Sequence, residues 1–556
     1  MSSTNSTSGI TANSPRSPSR RAFFGRAAAL VAGIAGSTSF GTRAGSAQGP
    51  NPPANSGPAS AQVRQMLAWQ VRVEAARLER SRPLAGHPTN GDEDLYPNKI
   101  GSYSKGLPHN LLGEVDIDAW NSLIRALTSG DPADFENILI NSSAKLVNPQ
   151  AGLAFAMQGP DSHALAIRPA PAFSSAEQAG EIAENYWMAL LRDVSFSDYP
   201  THLFTQQAAN DLSRFSDFRG PKVGGRVTPA TIFRGLSGGN LVGPYLSQFL
   251  WQETPFGAES IDRRMRTSIA GVDYMVTYAD WLSIQNGAAA GSNLFDPIPR
   301  YIRNGRDLEE WVHIDVLFQA YFNALLILFR LGAPRDPGNP YTTSRTQIGF
   351  GTLGDPYIAS VLCAVAREAL KAVWYQKWFV HRRLRPEVLG GRIHNHVTRA
   401  THYPIHSDII SSAVLDEVHR RNGTYLLPQA YPEGSPLHPS YGAGHATVAG
   451  ACVTVLKAFF DESFIIPNPV EATADGLRLV PYTGPALTVG GELNKLASNV
   501  AFGRNFAGIH WRSDATESLR LGEELAIRYL TEERACFNER IEGYSLTKFD
   551  GTRVIV

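Results

Sequence analysis

The chain has 556 residues, with 51 Lys and Arg against 51 Asp and Glu, 43% hydrophobic residues and three cysteines. That length and apolar content bury a large core, which excludes a disordered scaffold. Cys363, Cys452 and Cys536 are too few and too widely spaced for a disulfide framework or a C-x-x-C site, and a zero net charge argues against a dedicated nucleic-acid binder.

The zero is an average. Residues 1–48 carry five Arg and no acidic residue, and the remainder has 46 basic residues against 51 acidic. Within that first stretch, Ser19-Arg20-Arg21-Ala22-Phe23-Phe24 is a twin-arginine pattern. A short apolar run from Ala27 to Ile34 follows, then small residues to Ala47. The run is too short for a membrane span, which needs about 20 apolar residues. Residues 1–47 therefore read as a twin-arginine export signal, with a periplasmic or extracellular destination expected. Residues 48–60, rich in Pro, Gly, Asn and Ser, read as a linker.

From Ala61 the pattern turns helical, and a helical domain over 61–556 is expected. Apolar residues recur with a helical period over 116–128, 176–193, 308–331, 355–380, 407–420, 444–460 and 511–530. The run from Ala324 to Phe329 sits between Asn323 and Arg330, which predicts a buried core helix and no membrane span. Strand alternation is best at 478–481 and 552–556. The fold class is mainly α, a large helical bundle with long loops and minor β.

Three segments concentrate chemistry. Lys377, His381, Arg382, Arg383 and Arg385 crowd the end of one predicted helix, where Pro386 is expected to stop it and the cations to complement its dipole. His438-Pro439-Ser440-Tyr441-Gly442-Ala443-Gly444-His445 leads into a helix rich in Ala and Gly. Its first N–H groups are open to an oxyanion, and its small residues allow close packing. Arg504, Gly508, His510 and Asp514 form the third. His510 and Asp514 are four apart, so in a helix the carboxylate fixes one imidazole nitrogen and leaves the other as a lone pair. Each segment alone has a bland explanation; together they supply fixed cations, a helix-start amide and two histidines. That set holds a tetrahedral oxyanion while a histidine bonds its central atom.

The order Lys-x7-Arg-Pro, Pro-Ser-x3-Gly-His, Arg-x3-Gly-x-His-x3-Asp resembles the vanadium-dependent haloperoxidases, which share a superfamily with type 2 phosphatidic-acid phosphatases and bacterial acid phosphatases. The resemblance to the bromoperoxidase branch runs from about residue 60 to the end. It implies two four-helix bundles, a vanadate (vanadium(V)) cofactor, hydrogen peroxide and halide as substrates with small organic acceptors, and a homodimer or larger homo-oligomer. By motif position it implies His510 as the vanadium ligand, with Lys377, Arg385, Arg504 and the Gly444 amide on the vanadate oxygens. It further implies His445 as acid/base, Lys377 and His438 as catalytic neighbours, and Asp514 as the residue orienting His510. His438 in place of the Phe of fungal chloroperoxidases favours bromide or iodide over chloride.

Two departures stand out. Ala443 replaces a frequent Ser, removing one hydrogen bond to the anion, and Gly503 replaces a frequent Ser for an expected structural reason. The alternative implied by the same superfamily is an acid phosphatase with a phospho-histidine intermediate at His510. Seven residues between Lys377 and Arg385, where phosphatases commonly have six, weigh against it. A non-enzymatic oxyanion binder is the third reading. His381, His394, His396, His402 and His406 read as loop and helix-end residues and not as a second metal site.

Overall fold

The structure is a computed structural model that describes residues 60–141 and 144–556. The expected signal and nearly all of the linker lie outside the described residues. The chain divides between Pro83 and Leu84. On the N-terminal side, helix α1 (Ala61–Ser81) is capped by Ser60, whose hydroxyl accepts the Val63 N–H.

The larger unit, from Leu84, is mainly helical. Its helices include α2 (Ile117–Ser129), α3 (Ala176–Leu190), α4 (Gly305–Trp311), α5 (Gln319–Arg330), α6 (Asp355–Tyr375), α7 (Pro386–Val397), α8 (Gly444–Phe459), α9 (Val489–Phe506) and α10 (Arg512–Arg534), with further helices and 3-10 turns between them. Among the described residues the strands form three antiparallel hairpins, with Thr254 opposite Ile261, Val470 opposite Pro481 and Ser545 opposite Ile555. The expected strands at 478–481 and 552–556 are the outer arms of the last two. No described helix is long and apolar enough to cross a membrane.

Helices α6, α8, α9 and α10 pack together, with α8 in the middle touching the other three. Glycine sets the closest contact. A Cβ on Gly522 would lie 1.9 Å from the Thr447 carbonyl oxygen, and one on Gly450 would lie 2.1 Å from that of Leu519. Any side chain there forces α8 and α10 apart, so the small-residue face of α8 is a packing requirement.

Two predicted helices are broken, and one helix has no predicted counterpart. The stretch 308–331 is two helices, α4 and α5, with Val312–Phe318 between them; Ala324, Leu325, Ile327 and Leu328 are buried as expected. The stretch 407–420 is likewise broken, into Ser407–Ile410 and Ala413–Asn422. Helix α9 carries no apolar period because it is buried nearly all round, with Asn494, Lys495 and Asn499 inside along with its apolar residues. Periodicity reports a contrast between two faces, and this helix has no wet face.

Candidate active site

The side chains of the site come from the ends of helices. Helix α6 runs on as a π-helical turn, Gln376–His381, after which Arg382 adopts a left-handed conformation at φ 40°. The chain reverses, Arg385 becomes the N-cap of α7, and Pro386 is its first residue. Proline suits that position because an N–H there has no intrahelical partner. This corrects the expectation that Pro386 closes a helix whose dipole gathers the cations. Arg385 stands at a helix start, where the dipole disfavours positive charge, so helix stability does not account for it.

Lys377 and Arg385 are fully buried. The Lys377 amine donates to the carbonyl oxygens of Pro439 (2.7 Å) and Ser440 (2.9 Å). Arg385 donates through Nη1 to the Ile509 carbonyl at 2.8 Å and through Nη2 to that of His438 at 2.9 Å. It also lies 2.9 Å from two ring nitrogens, His438 Nδ1 and His510 Nε2. A guanidinium only donates, so Nε2 of His510 is the lone-pair nitrogen. Its Nδ1–H donates to Asp514 Oδ2 at 2.7 Å. The pair does not share a helix as the spacing suggested: Trp511 is the N-cap of α10, His510 precedes it, and Asp514 is in the first turn, where Oδ2 also takes the Trp511 N–H at 3.3 Å.

Arg504 lies in the last turn of α9. Its Nη1 donates to the Val312 carbonyl at 2.8 Å, while its Nε is buried with no protein acceptor. Gly503 is what brings that segment close: a Cβ there would sit 2.8 Å from Val312 Cγ2. Gly444 is the first residue of α8, and its N-cap, Ala443, offers no side-chain acceptor. The first-turn N–H groups of α8 therefore face outward with no cap. Ala443 sends its own N–H to Ser518 Oγ at 2.8 Å. His445 is partly exposed, with Nε2 2.9 Å from Asp315 Oδ1. The carboxylate accepts, so Nδ1 of His445 presents the lone pair. The His438 ring lies 4.8 Å from that of Trp374.

The electrostatics are of one sign. Burial pushes the Lys377 amine well below its ordinary value, and Arg385 and Arg504 push it further. Burial brings Arg385 down to about 10. The His510 imidazole is held well below its usual range by burial and then by Arg385, Lys377, Arg504 and His445. His438 is lowered by burial, Lys377 and Arg385. Lys377, Arg385 and Arg504 thus lie around two histidines that burial and these basic neighbours hold low, with Asp514 as the near carboxylate. Buried charge needs a partner of opposite sign, and the cluster supplies donors on several sides. Among the described residues no group of three or more His, Cys, Asp and Glu side chains is placed to hold a bare metal ion. The orphaned Arg504 Nε, the open α8 amides and the Nε2 lone pair of His510 instead fit a tetrahedral metal oxyanion such as vanadate.

Residues 358–539 match the family model described as the VCPO second helical-bundle domain. The chain is 36% identical over 589 residues to the vanadium-dependent bromoperoxidase of Corallina officinalis, covering 89% of this chain and 98% of that protein. It is 38% identical over 503 residues to that of Ascophyllum nodosum, covering 85% and 89%. The chain belongs to the vanadium-dependent bromoperoxidase family. A solved member, the homohexameric second vanadate-dependent bromoperoxidase of Ascophyllum nodosum, superposes with a TM-score of 0.85 at 32% identity, over 94% of this chain and 95% of that one.

Within this bromoperoxidase framework, four supporting residues have no signal in the sequence: Asp315 on His445, Ser440 and Arg383 on Asp514, and Trp374 beside His438 and Gly444. Arg383 was visible only as one more cation in a basic run. Asp315 fell inside a stretch read as continuous helix.

Proposed function

We propose that this chain is a vanadate-dependent haloperoxidase that oxidises bromide or iodide with hydrogen peroxide to a hypohalous-acid equivalent, which halogenates small organic acceptors. The observation that carries the reading is the neutral, Asp514-oriented His510 facing three buried cations, in a chain so similar to bromoperoxidases. Bound vanadate supplies a Lewis-acid centre that makes peroxide electrophilic toward halide without changing its oxidation state.

The chain's own part is charge and proton control. Lys377, Arg385 and Arg504 neutralise the oxyanion, the Gly444 N–H adds a fixed dipole, and His510 Nε2 is the ligand nitrogen. Asp514 keeps the proton of His510 on Nδ1, so Nε2 keeps its lone pair, which faces Arg385 Nη1 in this structure and would turn to the anion when it binds. His445, with its Nε2–H tied to Asp315, takes a proton from incoming peroxide at Nδ1 and returns it to the leaving group. Lys377 polarises the reacting oxygen. His438 packs on Trp374 beside Arg385 and is proposed as the neighbour that bears on the choice of halide.

Export by the twin-arginine route is proposed on the pattern at residues 19–24, and a homo-oligomeric assembly on the likeness to a homohexamer. The test is to add orthovanadate to the purified chain and assay bromide- and peroxide-dependent bromination of a phenol beside phosphate-ester hydrolysis. Bromination that requires vanadate is expected. Ester hydrolysis that vanadate inhibits, with no bromination, would overturn the reading in favour of a phosphatase.

A further inference from the structure

Asp514 is gripped from behind as well as in front. Its Oδ2 takes the His510 Nδ1–H and the Ser440 hydroxyl, while its Oδ1 takes Arg383 Nη1 at 2.9 Å. Arg383 is fully buried and uses both ends of its fork. Nη1 also donates to Ser513 Oγ at 2.8 Å, and Nη2 donates to Gln178 Oε1 at 2.7 Å and Glu181 Oε2 at 2.8 Å. Its Cζ lies 4.7 Å from the centre of the Trp511 ring and 5.7 Å from that of Tyr441. Glu181 in turn accepts the Ser513 backbone N–H at 2.5 Å, so α3 is fastened to the first turn of α10 beside the carboxylate that aims His510.

We infer that Arg383 is a positioning residue for the anion site: it fixes the carboxylate plane of Asp514 and through it the ring of His510. The geometry requires an arginine. One planar fork reaches acceptors on two helices at once, whereas a lysine offers a single point charge. The donors also divide the labour on Asp514. With Oδ1 claimed by Arg383, Oδ2 is the oxygen turned to His510, and rotation of the carboxylate that would loosen the Nδ1–H bond costs the Arg383 bond as well. Glu181 and Gln178 anchor the far side of the guanidinium, so the ring orientation of His510 is referred back to α3, deep in the fold.

This inference rests on His510 being the ligand of the oxyanion, as proposed above, and its test separates the two. The full-length chain, R383M, R383K, D514N and the R383M/D514N double variant are compared for orthovanadate affinity by calorimetry and for thermal midpoint. The hydrogen-bonded Nδ1–H resonance of His510 is followed in 15N-histidine-labelled protein without any anion. Loss of a group that supports a ligand typically weakens binding about 10–100-fold, and R383M is expected in that range, with R383K between it and the parent. In the D514N background R383M is expected to cost little more, because both act through one carboxylate. The His510 Nδ1–H signal is expected to shift or broaden in R383M.

An R383M chain that binds orthovanadate like the parent, with the His510 signal unmoved, overturns the inference. So do fully additive losses in the double variant. R383K guards against a variant that fails to fold, since it keeps the charge and an ammonium donor group. If the parent itself binds no orthovanadate, the reading of the site fails, and the His510 resonance still decides the role of Arg383.

Discussion

The two histidines of the site are held in opposite ways. His510 is buried, its Nδ1 bound to a carboxylate that is itself bound by Ser440, Arg383 and the Trp511 amide. His445 is partly exposed and rests on one partner, Asp315. The difference suits the roles proposed for them, His510 as the ligand of the anion and His445 as the proton carrier. A ligand must keep one lone pair at one place, which favours a dry, over-determined mount. A proton carrier must load and discharge, which favours water at hand and a single hinge-like contact.

The sharpest way to break this comparison is His510→Ala. Vanadate-dependent bromination is expected to fall to background and orthovanadate binding to vanish in calorimetry; full activity would remove His510 as the ligand. Next, His445→Ala is expected to slow turnover by about 10²–10⁴-fold, the usual worth of a positioned acid/base, with orthovanadate affinity close to the parent. An affinity loss matching the turnover loss would place His445 among the binding groups instead. Asp315→Asn leaves the His445 ring in place but weakens its mount, and a loss of about 10–100-fold in turnover is expected with the anion still bound. The smallest expected effect is a gain. Ala443→Ser restores a hydroxyl at the N-cap of α8, and a hydrogen bond to a charged group is worth about 1.5–3 kcal/mol; at the lower end of that range orthovanadate binds about tenfold tighter. No change would mean that the hydroxyl turns to the helix and not to the anion.

The site was more legible in the sequence than its supports were. Lys377, Arg385, Gly444, Arg504, His510 and Asp514 stand out in the sequence because their type and spacing form motifs, and the structure sets Arg385 beside His510, His510 beside Asp514, and Lys377 and Arg504 within charge range of them. Asp315 and Arg383 follow no local spacing, because they act across 130 and 131 residues of chain. Helix α9 went unread although it carries Arg504, since total burial erases the apolar stripe that periodicity needs. Pro386 was read as a stop because proline is hostile to helix interiors, yet the same locked φ makes it a good first residue. The π-helical turn before it has no marker in composition.

Between Lys377 and Arg385 the chain spends seven residues on a wide turn, one left-handed residue and a cap, and both ends are pinned by helices. The number of residues in the connection is therefore part of the recognition element, as the length of a caliper arm is part of what it measures. An insertion or deletion there would rotate one cation by about 100° per residue on any helical stretch, while leaving every named side chain in the sequence.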